Sequence, residues 1–434
     1  MKFESIRTSL LHPPDLVRQA GIYTVSTFVG KAVPFLLLPV LTRFLSPADY
    51  GIVAMFLLVV VVLEPFVSVG LVGAITVRFF DRRTDLPAYI GTGAVLVVVS
   101  TVLFSVLVYV AREPLSELTQ VPPLWLLLSV PLVVARTIGG SWLALLRVRE
   151  KAVLFAVSQN LQSAGVLVLS VGLVVGLGLK WPGRVEAETL AWGGFAIVAF
   201  VALRRGGWIR FTFVAQYARE LAQFGIPLIP HTLGAVLMAQ TDRVLLTNLV
   251  GVGETGLYIV GYQLALVIEL VSTSFNNAYA PWLFRRLTDA DDQVKRRLVR
   301  YTYLQFGAMA VLAIAVAVVM PSVASIVLDP SFAKSGTYIA WFALGFFFSA
   351  MYYLVTNYIF YAQKTRWLAA VTISVAVINI PLTYVLIEVN GGVGAAQAMA
   401  ISLGLSFLFT WFVSQRVYPM PWFDRRMLTT EPAE

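Results

Sequence analysis

LAQFGIPLIPHTLGAVLMAQTDRVLLTNLVGVG, Leu221 to Gly253, decides how this chain must fold. The stretch is almost wholly apolar or small, and it exceeds the roughly 20 residues a helix needs to cross a bilayer. Yet Asp242 and Arg243 stand side by side within it. An Arg or Asp at mid-membrane costs at least ~2.5–3.5 kcal/mol on insertion scales, so each must face protein or water. They do not simply neutralise each other, because adjacent helical residues point about 100° apart. On a helical wheel Arg243 shares an arc of roughly 80° with Thr232, Gln240 and Thr247, whereas Asp242 falls near His231.

Working outward, the same character recurs along the chain. Of 434 residues, 59% are hydrophobic and 13% charged, where a soluble domain is nearer half apolar and about a quarter charged. Mean hydropathy is +0.81. The chain is read as an all-α polytopic membrane protein with about twelve transmembrane helices, at 20–44, 49–77, 88–111, 122–146, 153–178, 186–203, 221–250, 255–284, 299–320, 335–361, 366–388 and 393–415. Short breaks rich in Pro, Gly and charge separate them, among them SPAD, DRRTDLP, KWPGR and NGG. There is no cysteine, so disulfides, thiolate metal sites and cysteine nucleophiles are excluded. The first residues mix both charge signs and lead into a span too long for a signal h-region, so no cleaved leader is expected. A net charge of +9 reports topology before it reports nucleic acid, which is not expected as a partner.

The basic residues test the span map. With the N-terminus inside, 24 Lys and Arg fall in inside segments and 5 in outside segments, with Lys31, Arg136 and Arg243 left within spans. That asymmetry predicts an even span count and cytoplasmic N- and C-termini. A repeat points the same way. LTRFLSPADYGI (Leu41–Ile52) lies over LTNLVGVGETGL (Leu246–Leu257) at a constant offset of 205, which also carries Glu64 onto Glu269. Two six-helix lobes, 1–205 and 206–434, are therefore expected as a parallel repeat about an axis along the membrane normal. GVGETG (251–256) matches the dinucleotide pattern G-x-G-x-x-G. It follows a membrane span instead of a strand, so it is read as a tight turn.

Lys31 and Glu64 each lie fourteen residues from the same turn, roughly 21 Å at 1.5 Å per residue. They are an expected pair, either fixing one helix interface or serving a cavity. Tyr258, Tyr262, Glu269, Thr273 and Asn276 share an arc of about 60° on span eight. The stripe is either polar glue between helices or a cavity lining. Arg136 is expected to find an internal partner or to reach the surface. Tyr353 and Asn357, one turn apart, are candidates for lining the second half. A metal role for His231 is not expected.

Four stretches carry a family resemblance: GKAVPFLLLPVLTRFLSPADYGIVAMF, TDRVLLTNLVGVGETGLYIVGYQLA, NNAYAPWLFRRL, and YAQKTRWLAAVTISVAVINIPLTYVLI followed by GGVGAAQAMAISLG. They resemble the polysaccharide transporter family of lipid-linked oligosaccharide flippases, in the multidrug/oligosaccharidyl-lipid/polysaccharide superfamily. Where many relatives repeat Asn near the end of span eleven, this chain has Asn379 and then Thr383. The resemblance implies an alternating-access flippase, not an enzyme, moving a polyprenyl pyrophosphate-linked oligosaccharide across the cytoplasmic (inner) membrane of a prokaryote. It implies a cationic cavity on spans one, two, seven and eight.

The expected substrate-binding residues are accordingly Arg243, Lys31, Tyr258, Tyr262, Gln240 and Asn276. Glu64, Glu269 and Asp242 are candidates for coupling to a proton or Na+, and no other cofactor is expected. Membrane lipids, the lipid-linked glycan and glycan polymerase or assembly proteins are the expected partners. Rival readings are a cation-coupled drug or metabolite antiporter of the same superfamily, a membrane glycan polymerase or glycosyltransferase, and a non-transporting scaffold.

Overall fold

The computed structural model describes residues 35–424 apart from 82, 289 and 290, together with isolated positions between 21 and 33, and the side chains of 231, 235, 237 and 238 also fall outside it. The described residues are helical almost throughout and contain no strand. Eight helices are long and apolar enough to cross a membrane, or up to ten when two bent pairs each count as one span.

Helical residues 35–41 end in a turn that leads to α1 (Pro47–Ser68). The start of α1 is written locally. The Ser46 hydroxyl accepts from the Asp49 N–H at 3.1 Å, and the Asp49 carboxylate accepts from the Ser46 N–H at 2.8 Å. This capping box precedes Pro47 at the first helical position, where a missing N–H costs nothing. Then follow α2 (Leu71–Arg78), α3 (Leu86–Val110), α4 (Arg112–Thr119), α5 (Ser129–Val148), α6 (Ala152–Ser170), α7 (Lys180–Arg205) and α8 (Ala215–Leu249). The remaining helices are α9 (Val252–Ala265), α10 (Val267–Leu287), α11 (Asp292–Val327), α12 (Gly336–Tyr361) and α13 (Arg366–Val417).

Spans two to twelve of the sequence map each have a helical counterpart, with three differences of shape. The span expected over 49–77 is broken: Val69 (φ 48°) and Gly70 (φ 70°) are both left-handed, between α1 and α2. A Cβ at Gly225 on α8 would strike the Val69 carbonyl, so the break lies where two backbones touch. Span eight is bent by 42° at Leu266, between α9 and α10. Spans eleven and twelve run together as α13, turning at Gly391 (φ 57°) within the NGG signal. The charged segment 285–297 is largely helical, because Asp291 caps α11 by accepting from the Val294 N–H at 2.7 Å.

The offset of 205 recurs in the helix starts: α1 begins at Pro47 and α9 at Val252. The first start is capped by side chains, whereas the second leaves Gly251 at φ 127°, a backbone open only to glycine.

The chain forms two compact units, Met1–Asn248 and Leu249–Glu434. The first takes in nearly all of α8, beyond the boundary at 205 expected from the repeat. Local packing accounts for this: Val244 rests on the core around Phe56, Val60 and Leu132, and the Asn248 amide donates to the Leu118 carbonyl at 2.9 Å. A second core in this unit gathers Ile75, Tyr89, Leu145 and Leu203. The other unit is built on Leu283, Val299, Val355, Tyr358 and Trp422. Val98, Val102, Leu103 and Val106 on α3, and Val311, Ile314 and Val318 on α11, are exposed. Apolar faces of this extent belong against lipid.

Candidate functional site

In the first unit α1, α2, α5 and α8 surround a cavity of about 400 Å³. Glu64 and Arg136 both line it, with Thr232 and the glycines 70, 73, 140 and 225. Most of the remaining wall is aliphatic, including Val61, Leu228 and Val236.

Arg136 is held from behind. Its guanidinium donates to Glu188 on α7 at 3.0 Å, and its centre lies 5.6 Å from the Trp192 ring. Glu188 also accepts from Arg184 at 2.9 Å, one turn away, and from the Trp192 indole N–H at 3.2 Å. Two guanidiniums thus share one buried carboxylate, which fixes Arg136 in a single geometry. The Arg136 Nε is buried and has no hydrogen-bond partner among the described residues. The sequence left Arg136 either to an internal partner or to the surface, and the structure gives it Glu188. Glu188 sits at the edge of its expected span, and the spacing of Arg184 and Glu188 (i, i+4) was the legible signal.

Further along α8, Gln240, Asp242 and Arg243 are all half-buried. The Asp242 carboxylate accepts from the backbone N–H of Arg243 at 2.9 Å. Thr247 is buried, and Thr232 at the other end of the expected polar face reaches the cavity. Lys31 lies outside the described residues, and so does its expected pairing with Glu64.

In the second unit the span-eight stripe is present, and one helix receives much of it. On α12, Tyr353 donates to Glu269 at 2.5 Å, and Asn357 donates to Asn276 at 2.8 Å. Higher up, Tyr262 meets Phe342 and Phe346 edge-on at ring separations of 5.5 and 5.3 Å. Tyr258 packs edge-on against Phe342 at 4.8 Å and is fully buried. Its ring therefore has no face open to a ligand in this structure, where the sequence had suggested one. The second Glu269 oxygen is buried without a hydrogen-bond partner among the described residues. Thr273 turns inward onto its own helix, donating to the Glu269 carbonyl at 2.8 Å. At the start of α9, Glu254 pairs with Lys334 at 2.8 Å and accepts from the Tyr338 hydroxyl. GVGETG thus covers the short link after α8 and the first turn of α9, in keeping with a tight turn between two spans.

Comparison with known proteins gives these features a family. The model of a family described as polysaccharide biosynthesis protein matches residues 16–287. Lsg locus protein 1 of Haemophilus influenzae is 24% identical over 372 residues, covering 84% of this chain and 89% of its own. The succinoglycan biosynthesis transport protein ExoT of Rhizobium meliloti is 22% identical over 277 residues, covering 62% of this chain and 53% of its own. In fold, the chain is similar to lipid II flippase MurJ in an inward closed conformation, with a TM-score of 0.70 at 12% identity over 90% of this chain and 87% of the other. It is equally similar to an inward-facing multidrug resistance MATE family transporter of the MOP superfamily: TM-score 0.70, 12% identity, 89% and 94% coverage. An all-helical chain of membrane-spanning length, with charges buried inside its spans and the family match extending over both α1 and α10, belongs to the polysaccharide biosynthesis protein family.

Proposed function

We propose that this protein moves an oligosaccharide linked to a polyprenyl pyrophosphate across the cytoplasmic membrane by alternating access, for cell-surface polysaccharide synthesis. No covalent step is required of it. The observation that carries the proposal is the cavity of about 400 Å³ lined by both Glu64 and Arg136 inside apolar helices, in a chain of a polysaccharide biosynthesis family. Ionisable residues are retained at membrane depth chiefly where they face a pathway or one another.

In this scheme Arg243 attracts the pyrophosphate, since a planar guanidinium matches phosphate oxygens with paired donors. Lys31 adds charge, and Gln240, Tyr262 and Asn276 offer contacts to the glycan. Glu64, Glu269 and Asp242 are the candidate sites for a coupling proton or Na+. Twelve spans with both termini cytoplasmic would place the repeated halves 1–205 and 206–434 in the same orientation. Glycan polymerase or assembly proteins would act beside it.

The fold is shared equally with a multidrug transporter, so cation-coupled efflux is the second reading. The half-buried Glu269 carboxylate held by Tyr353 at 2.5 Å is the feature that favours it. Deleting the protein in its host separates the two. Loss of surface glycan with accumulation of lipid-linked intermediates supports the flippase. Unchanged glycan with heightened sensitivity to cationic dyes supports the antiporter and removes the flippase.

A further inference from the structure

The two glutamates related by the repeat have come to different surroundings. Glu269 is hydrogen-bonded by Tyr353, whereas Glu64 lines the cavity of the first unit together with Arg136 and Thr232. We propose that this cavity is a sugar-binding subsite, taking a neutral hydroxylated ring through Glu64, Arg136 and Thr232. The proposal rests on the flippase reading in one respect: the ring belongs to the glycan of the lipid-linked substrate.

Charge favours a neutral ring over the pyrophosphate. Arg136 already shares Glu188 with Arg184, so those three groups together carry one formal positive charge. Glu64 cancels it. A pyrophosphate seated here would meet the Glu64 carboxylate as a like charge, which disfavours it. Hydrogen-bonding capacity agrees. A carboxylate only accepts and a guanidinium only donates, so the pair matches sugar hydroxyls, which do both. The Thr232 hydroxyl donates to the Leu228 carbonyl at 3.0 Å, which leaves its oxygen as an acceptor.

Shape agrees as well. A cavity of about 400 Å³ lies within the range of roughly 300–1,000 Å³ typical of small-molecule pockets. Glycines 73, 140 and 225 sit in the lining where helices approach closely. A Cβ at Gly140 would come within 3.3 Å of Val72, and one at Gly73 within 3.4 Å of Phe224. These glycines let the lining helices pack closely, and Val61, Leu228 and Val236 offer apolar surface for the C–H face of a ring. The fixed Arg136 geometry lowers the ordering cost of binding.

The chain has no cysteine, so Thr232→Cys in the full-length protein supplies a sole thiol inside the cavity. Its labelling rate with N-ethylmaleimide is compared between two preparations of native host membranes. One makes the lipid-linked oligosaccharide, and the other is blocked in the first transfer of sugar to lipid. Labelling at least fivefold slower in the glycan-containing membranes is expected, with inorganic pyrophosphate added to the blocked membranes leaving the rate unchanged. Val72→Cys, on α2 in the same lining, repeats the measurement should Thr232→Cys fold poorly. Equal rates in both membranes, or slowing by pyrophosphate to the same extent, overturn the sugar assignment. Glycan export by wild type in the same cells judges the flippase reading separately. Intact export with an unprotected thiol removes the sugar site and leaves the flippase. Absent export with a protected thiol does the reverse.

Discussion

The Arg136 guanidinium on α5 lies 3.0 Å from the Glu188 carboxylate on α7, and Glu188 simultaneously holds Arg184 at 2.9 Å. Both partners of the first bond are largely out of solvent, with side-chain exposures of 19% and 10%. Breaking such a pair from one side typically costs about 3–5 kcal/mol, because a charge is left buried alone. The two ends are not equivalent here. Glu188→Ala strands two guanidiniums, whereas Arg136→Ala leaves Glu188 paired with Arg184. Thermal unfolding in detergent should therefore show a larger loss of stability for Glu188→Ala than for Arg136→Ala. Equal losses would mean that Arg184 contributes nothing to the cluster.

Replacing Arg243 probes the proposed pyrophosphate contact. A hydrogen bond to a charged group contributes about 1.5–3 kcal/mol, so Arg243→Ala should lower glycan export by about tenfold to a hundredfold at normal protein level. Arg243→Lys keeps the charge but loses the paired donors, so it should fall between wild type and Ala. Normal export by a well-expressed Ala variant would remove Arg243 from the mechanism.

Glu269 and Tyr353 allow a test of coupling that leaves the packing in place. Glu269→Gln retains an oxygen to accept from Tyr353 but cannot exchange a proton. If Glu269 carries the coupling proton, transport by the Gln variant in vesicles should cease to respond to an imposed pH gradient. A response as large as that of wild type excludes Glu269. Tyr353→Phe should lower the unfolding temperature, by the loss of one charge-assisted hydrogen bond worth about 1.5–3 kcal/mol.

The break between α1 and α2 depends on two glycines that approach closely. A side chain at Gly225 would strike the Val69 carbonyl, and Gly70 holds φ 70° with the Gly225 Cα 3.0 Å from the position of an added Cβ. Gly225→Ala should destabilise by about 1–3 kcal/mol through overpacking. Gly70→Ala should add the left-handed backbone cost of about 1–2 kcal/mol on top of its own contact. Unfolding curves that coincide with wild type would show that α8 yields at this point.

Topology can be measured in the same cysteine-free background. Arg300→Cys, after the basic segment before span nine, should react with a membrane-impermeant maleimide only from the cytoplasmic side. Glu117→Cys, on α4, should react only from the other side. Labelling of both from one side would contradict the odd count of spans, four to eight, expected between them.

The features legible in the sequence were those written locally. The break at SPAD, the turn at Gly391 and the offset that places helix starts at Pro47 and Val252 are all properties of a few neighbouring residues. The stripe on span eight was legible too, since side-chain direction follows helix period. Its occupant was not: either a ligand or another helix can satisfy the same polar face. Tyr258 shows the difference, because its ring is closed off by Phe342 from 84 positions further along the chain.

The sequence by itself determined that this chain is helical, that it spans a membrane many times, and where charge is retained inside the apolar spans. Those properties follow from residue composition over about twenty positions and from the cost of unpaired backbone in lipid. Tertiary structure alone decided that Glu188 is the partner of Arg136, that α12 faces Glu269 and Asn276, and that span two breaks where Gly225 meets Val69. It also decided that Glu64 and Arg136 share one cavity while Glu269 is held by Tyr353. Each of these depends on which helix packs beside which, and no period within a single helix records its neighbour.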